Sequence, residues 1–317
     1  MRPDRFYVSH DAVYNQADMA DKRAILTNAP ASTFVALRGL NCHVRIWGAA
    51  GGTPVLLLHG WMDNSASYQF LADALGPGWC LVAPDWRGFG LSEWAPGGVY
   101  AYTDYLADFD ALIDALQLGP QVCVLGHSLG GYIACMYAAA RPERVARLIN
   151  VEGMGLRARE GSEAPAYLAH WLDEIRASRM PKTYPSFDDL ARRIIKNNPW
   201  LTEERAQFVA RHWAVATAPG VVTLLCDPGH GNRLPDLFRL DEARALWGAV
   251  TCPVLWVEAA ESRNTERHHI GPEGLRERRG SLQNAQFKSI ARAGHMVHLE
   301  QPEALAELVR EFLRPAA

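Results

Sequence analysis

The stretch Val122-Cys123-Val124-Leu125-Gly126-His127-Ser128-Leu129-Gly130-Gly131 limits the fold of this chain more than any other. An apolar run of strand type enters Gly-x-Ser-x-Gly, and a small-residue run of helical character, 132–140, follows at once. A strand that turns directly into a helix holds its corner residue in a strained backbone conformation. Gly126 and Gly130 remove side chains that would collide at such a corner. The hydroxyl of Ser128 is thereby lifted clear of a sheet edge, at the start of a helix.

With an apolar strand before it and an Ala-rich helix after it, this motif resembles the nucleophile elbow of the alpha/beta-hydrolase family. The resemblance implies an α/β fold: a mostly parallel sheet with helices on both faces. Periodicity along the chain agrees. Strand-like segments at 33–37 and 42–47 flank a turn and read as an antiparallel hairpin. Runs at 55–58, 79–83, 145–151, 252–257 and 285–290 read as strands, the continuous apolar ones being of the kind buried on both faces. Helical spacing falls at 67–75, 103–116, 274–280 and 302–313.

From 156 to 246 strand-type runs nearly vanish, and helices are expected at 164–178, 187–197 and 202–216. Ser186 with Asp189 fits a capping box, and Thr202 can cap the next helix. The expected organisation is an N-terminal extension (1–32), a core (33–156 and 247–317) and a helical cap (157–246). Sheets of this kind bind ligands at the carboxyl ends of their strands. Ser128, His59-Gly60, the Asp85 loop, Glu152 and His295 all follow strands closely and should meet at that rim, beneath the insertion.

A serine hydroxyl is a weak nucleophile at neutral pH and needs a base. The candidate base is His295, because Gly294-His295-x-x-x-x-Glu300-x-Pro302 resembles the family's C-terminal signature. His298 belongs with the helix that follows. A carboxylate must then orient and stabilise the imidazolium. Most family members carry it after the penultimate strand. Here that segment reads Val257-Glu258-Ala259-Ala260-Glu261-Ser262, and Ser262 falls where an aspartate is expected. Some relatives carry the acid after the strand that follows the elbow helix. That strand ends here Ile149-Asn150-Val151-Glu152-Gly153, and a charge at the end of a buried strand needs a reason. Glu152 is the favoured acid, Glu261 the alternative, with Glu258 behind them. The resemblance implies oxyanion donors at the backbone amides of Leu129 and Trp61. His59 and His127 read as structural. Asp85-x-Arg87-Gly88-x-Gly90-x-Ser92 resembles a family loop that braces the site.

Net charge −3 and a pI near 6.4 give no attraction to nucleic acid or anionic membrane. Six cysteines without Cys-x-x-Cys read as reduced thiols of a cytoplasmic protein. Neither an N-terminal apolar segment nor a run of eighteen apolar residues occurs, so a secreted or membrane-spanning form is not expected. His268-His269 and Cys226-Asp227-x-x-His230 lack zinc spacing, so no metal and no cofactor are expected. Ser128 argues against haloalkane dehalogenase and epoxide hydrolase chemistry, which uses aspartate at this position. Trp61-Met62-Asp63-Asn64 argues against carbon–carbon bond hydrolases and His-Gly-Gly-Gly lipases.

The body resembles serine-hydrolase-like and carboxylesterase members. That implies a serine hydrolase cleaving carboxylic esters through an acyl-enzyme, with a small ester or acyl substrate as its partner. Tyr167, Trp171, Trp200 and Trp213 are candidate walls of the acyl site, although helical aromatics more often fill a core. Two rivals remain at this stage. One is a cofactor-free acyltransferase or perhydrolase using the same residues. The other is a non-catalytic ligand-binding protein on the same fold, suggested by the missing aspartate at 262.

Overall fold

The computed structural model describes residues 28–48, 54–177 and 179–314. The expected extension therefore lies almost wholly outside the described residues, as does the turn at 49–53. At Asn28 the chain is already docked: its N–H donates to Asp73 Oδ1 at 3.0 Å, and its carbonyl accepts from Gln69 Nε2 at 2.8 Å.

The elements alternate as the periodicity requires. Strands β1 (Ala31–Leu37) and β2 (Leu40–Trp47) form the antiparallel hairpin, turning at Arg38 and Gly39, both with positive φ. Then come β3 (Pro54–Leu58), α1 (Gln69–Leu75), β4 (Cys80–Pro84), α2 (Tyr102–Ala115), β5 (Val122–His127), α3 (Leu129–Ala140) and β6 (Val145–Val151). The insertion holds α4 (Ala164–Arg176), β7 (Thr183–Tyr184), α5 (Phe187–Asn197), α6 (Glu203–Trp213), β8 (Ala214–Ala218) and β9 (Val221–Leu224). After α7 (Leu240–Gly248) the sheet resumes with β10 (Val254–Ala259), α8 (Asn264–Arg267), α9 (Pro272–Gly280), β11 (Ala285–Ile290), α10 (Val297–Glu300) and α11 (Pro302–Leu313).

The main sheet has eight strands in the order β1-β2-β4-β3-β5-β6-β10-β11. From β4 onward every pairing is parallel. The strand period of two sorts side chains into two apolar layers. Leu56 and Leu58 of β3 face Phe109, Ile133, Tyr137 and Trp247 on one side. Val55 and Leu57 face Leu71, Leu305, Val309 and Phe312 on the other. Both faces are covered, which is why β5 is buried along its whole length.

The insertion departs from the expected all-helical pattern. The helix expected at 202–216 stops at Trp213, and 214–218 becomes β8 in a three-stranded antiparallel sheet, β7-β9-β8. The reason is local. Val215, Thr217, Val221, Val222 and Thr223 are β-branched, and Gly220 at φ +71° permits the reversal between β8 and β9. The caps fall where expected: Ser186 Oγ accepts from Asp189 N–H at 3.1 Å, and Thr202 Oγ1 from Arg205 N–H at 3.3 Å. Leu190, Ile194, Val209 and Ala210 pack into a third cluster that also takes in Leu299 of α10. The insertion is thus seated directly on the segment that follows His295.

Candidate active site

The corner at Ser128 has the strain that its sequence requires, with φ +51° and ψ −112°. A side chain at Gly126 would meet the Gly130 carbonyl at 2.3 Å, and one at Gly130 would meet the Leu58 carbonyl at 2.1 Å. Those approaches let α3 start hard against β3 and β5. Ser128 N–H donates to the Val151 carbonyl at 2.9 Å, which fastens the corner to the end of β6.

Ser128 Oγ lies 3.0 Å from His295 Nε2, and His295 Nδ1 lies 3.1 Å from Glu152 Oε2. Glu152 is buried and also has positive φ, +58°. Its oxygens are taken up by donors. Oε1 accepts from Ala259 N–H at 2.9 Å, and Oε2 accepts from the Ser262 hydroxyl at 2.5 Å as well as from His295. A carboxylate facing three donors fixes His295 with its proton on Nδ1, which leaves the Nε2 lone pair facing Ser128. The turn carrying Glu152 is clamped by Asn150, whose Oδ1 accepts from Gly153 N–H at 2.9 Å and whose Nδ2 donates to the Gly153 carbonyl.

Ser262 therefore occupies the position after β10 and donates to an acid that comes from β6. The other carboxylates considered are engaged elsewhere. Glu261 Oε2 accepts from Ala293 N–H at 3.0 Å, and Glu258 forms a two-pronged ion pair with Arg279. Among the described residues, Glu152 is the carboxylate hydrogen-bonded to His295.

The expected oxyanion donors are the backbone amides of Leu129 and Trp61. Leu129 opens α3, where the first N–H groups have no partner within the helix. Trp61 follows Gly60, and a side chain at Gly60 would come within 3.2 Å of Ser128 Cβ and 2.8 Å of His127 Nδ1. Trp61 is 57% exposed, and its Nε1 donates to the His230 carbonyl at 3.2 Å.

His59 is buried, donating from Nδ1 to its neighbour's carbonyl and accepting the Trp86 N–H at Nε2, 2.9 Å. Burial holds its pKa below the usual histidine range, so it stays neutral. His127 Nε2 donates to the His295 carbonyl at 2.8 Å, and burial holds this ring neutral as well. Asp85 accepts from Ser65 N–H, Leu91 N–H and His43 Nδ1. Burial alone would raise its pKa, but the hydrogen-bonded His43 and the nearby Arg45 guanidinium keep it below the usual carboxylate range. Arg87 grips Asp108 with two nitrogens.

The remaining motif residues are used structurally. His230 is stacked between Phe89 and Tyr100, with ring centroids 3.7 and 3.6 Å away. Asp227 accepts from the Tyr100 hydroxyl and Gly229 N–H, and Cys226 lies against Met62. His268 is partly buried beside His295, and burial lowers its pKa to about 4. Trp213 donates to Asp63 and Ser67, and so anchors the insertion. Tyr167 lies under Arg159 and Arg233, and Trp200 under Arg292.

Three structurally important residues, Glu300, Arg278 and Asn150, have no individual role that the sequence discloses. Glu300 Oε2 accepts from Gly294 N–H at 2.6 Å, while its Oε1 accepts from Trp200 N–H at 3.3 Å. Burial raises the Glu300 pKa. Arg278 donates to the carbonyls of Met154, Leu156 and Gly274, and so holds the chain beyond Glu152. Asn150 is the third. A polar residue at the end of an apolar strand was the available signal for it.

Residues 55–308 match the alpha/beta hydrolase family, and the chain belongs to that family. It is 28% identical over 281 residues to a serine hydrolase-like protein of Danio rerio, an alignment covering 86% of this chain and 84% of that one. Its fold is similar to that of a thioesterase domain from the curacin biosynthetic pathway, with TM-score 0.78, 24% identity and coverage of 89% and 99%. An esterase from Mycobacterium tuberculosis is also similar, with TM-score 0.67, 21% identity and coverage of 96% and 99%. Family membership and the serine hydrolase-like relative support a hydrolase. All six cysteines are free thiols. No described helix is long and apolar enough to cross a membrane.

Proposed function

We propose that the protein is a serine hydrolase of carboxylic esters, working through Ser128, His295 and Glu152. The observation that carries this reading is the unbroken row Glu152–His295–Ser128, with contacts of 3.1 and 3.0 Å, ending on a positive-φ corner. His295 Nε2 takes the Ser128 proton as Oγ attacks the acyl carbonyl. Glu152 stabilises the imidazolium without itself taking the proton. The Leu129 and Trp61 amides receive the developing oxyanion, each worth roughly a hundredfold or more in rate. His295 returns the proton to the leaving alkoxide, which departs as the alcohol and leaves Ser128 acylated. Water, deprotonated by the same imidazole, then releases the acid and restores the hydroxyl.

The substrate is a small ester or acyl compound, and the chemistry needs no cofactor. The segment at 157–246 acts as a cap over the site, and the free thiols fit a cytoplasmic setting. The binding-protein rival rested on the missing aspartate at 262. Glu152, held by Ser262, takes away that support.

A fluorophosphonate probe and a p-nitrophenyl ester series of rising chain length test this reading. The expected result is labelling confined to Ser128, absent in Ser128→Ala, together with ester turnover. An unlabelled native protein would overturn it. Turnover that partitions to added alcohol or peroxide in preference to water would favour the acyltransferase or perhydrolase rival.

A further inference from the structure

Below the proposed catalytic row lie three buried side chains from distant parts of the chain: Asp63, His127 and His298. One donor atom from each lies within 4.8 Å of the others. Two of the ring nitrogens, His127 Nδ1 and His298 Nδ1, are buried with no hydrogen-bond partner. His298 Nε2 lies 3.3 Å from Asp63 Oδ2. Buried polar atoms are nearly always satisfied, so two unpartnered ring nitrogens in one cluster point to a bound species. His127 Nδ1 must carry a lone pair, because its Nε2–H is committed to the His295 carbonyl.

We infer that Asp63, His127 and His298 form a binding site for one divalent transition-metal ion, zinc above all. Three points favour an ion. Two imidazoles and a carboxylate are the donor set zinc takes, whereas magnesium and calcium want oxygen throughout. Donors that span at most 4.8 Å surround a point no more than about 2.8 Å from each, against about 2.0–2.2 Å for bound zinc. Shifts below about 1 Å therefore close the site. The outer contacts also match those of metal ligands. The second nitrogen of His127 donates to a backbone carbonyl, and Asp63 Oδ1 is held by Asn64 N–H, the Ser67 hydroxyl and Trp213 Nε1.

Because every donor is buried, the ion would pin three segments together rather than meet substrate. Those segments are the loop after β3, the last residue of β5 and α10. The spacing from 63 to 127 to 298 is too wide for any sequence pattern to disclose such a site.

The test uses the full chain, stripped with chelator and dialysed against zinc, with bound metal measured by mass spectrometry. We expect one zinc per chain and a rise in melting temperature. His298→Gln should weaken binding by at least about tenfold. A His268→Gln/His269→Gln control should bind as the native protein does. If the native protein takes up no zinc, a bridging water is all the cluster holds and the inference falls. It also falls if binding follows His268 and His269. Should His298→Gln fail to fold, cobalt absorption of the native protein decides. A strong visible band of low-coordinate cobalt sustains the site, and its absence overturns it. None of these readouts depends on ester hydrolysis.

Discussion

Replacing Glu152 by Gln alters a single atom at the centre of the site and should be costly. The carboxylate receives three donors: Ala259 N–H at 2.9 Å, the Ser262 hydroxyl at 2.5 Å and His295 Nδ1–H at 3.1 Å. Glutamine offers one acceptor oxygen and an amide that is itself a donor. If the oxygen stays with Ala259, the NH₂ faces both Ser262 and His295. The imidazole then prefers its other tautomer, with the proton on Nε2, where it cannot accept from Ser128. Loss of the right tautomer in a comparable row costs on the order of 10⁴ in kcat, or about 5.5 kcal/mol of barrier. The Michaelis constant should change little, since binding is untouched. Glu261→Gln is the matched control. It disturbs one bond, to Ala293 N–H, and should cost less than about threefold. Steady-state kcat on p-nitrophenyl butyrate, with melting temperatures to verify folding, separates the two variants. If Glu152→Gln kept more than about a tenth of the native kcat, or Glu261→Gln fell as far, the reasoning would be refuted.

Three further outcomes follow from the geometry. Gly60→Ala would push against His127 Nδ1 at 2.8 Å and Ser128 Cβ at 3.2 Å, and a misplacement of this kind should lower kcat/KM by about a hundredfold; a native value measured for this variant would refute it. Burial holds the His230 pKa at about 3, well below its unfolded value, so the unfolded chain binds the proton first and stability is lost as pH falls from about 6.5 towards 3. His230→Phe keeps the stack and should flatten that slope by up to about 1.4 kcal/mol per pH unit in urea unfolding between pH 5 and 7. Arg278→Met leaves the carbonyls of Met154, Leu156 and Gly274 without their donor, and should lower unfolding stability by about 3 kcal/mol in denaturant titration.

The framework of the fold was legible because apolar runs and helical spacing are local properties. The Ser128 corner was legible for the same reason: its glycines and flanking elements are contiguous. Glu152 stood out as a charge closing a buried strand. What was not legible depends on partners far apart in the chain. Ser262 is a bland loop residue until its hydroxyl is seen on Glu152, 110 positions away. The strand pairing of Thr183 with Thr223 has too few residues to leave a period-two signal. His230, which has no metal-binding spacing with Cys226 and no other role legible in the sequence, is an aromatic filling between Phe89 and Tyr100. Helix propensity likewise carried the expected helix past Trp213, where β-branched residues and a hairpin turn prevail.

The hydroxyl and the carboxylate stand at the ends of neighbouring strands, β5 and β6, which pair in register from Cys123↔Arg147 to His127↔Val151. Their spacing is therefore inherited from a ladder that cannot slip without dismantling the centre of the sheet. Only the imidazole is delivered from elsewhere, 167 positions beyond Ser128. Partial unfolding that begins at the carboxyl-terminal segment would thus withdraw the proton acceptor while leaving the other two groups in place. The stretch after β10 gives the row Glu152–His295–Ser128 a hydroxyl, from Ser262, where a charge would otherwise stand.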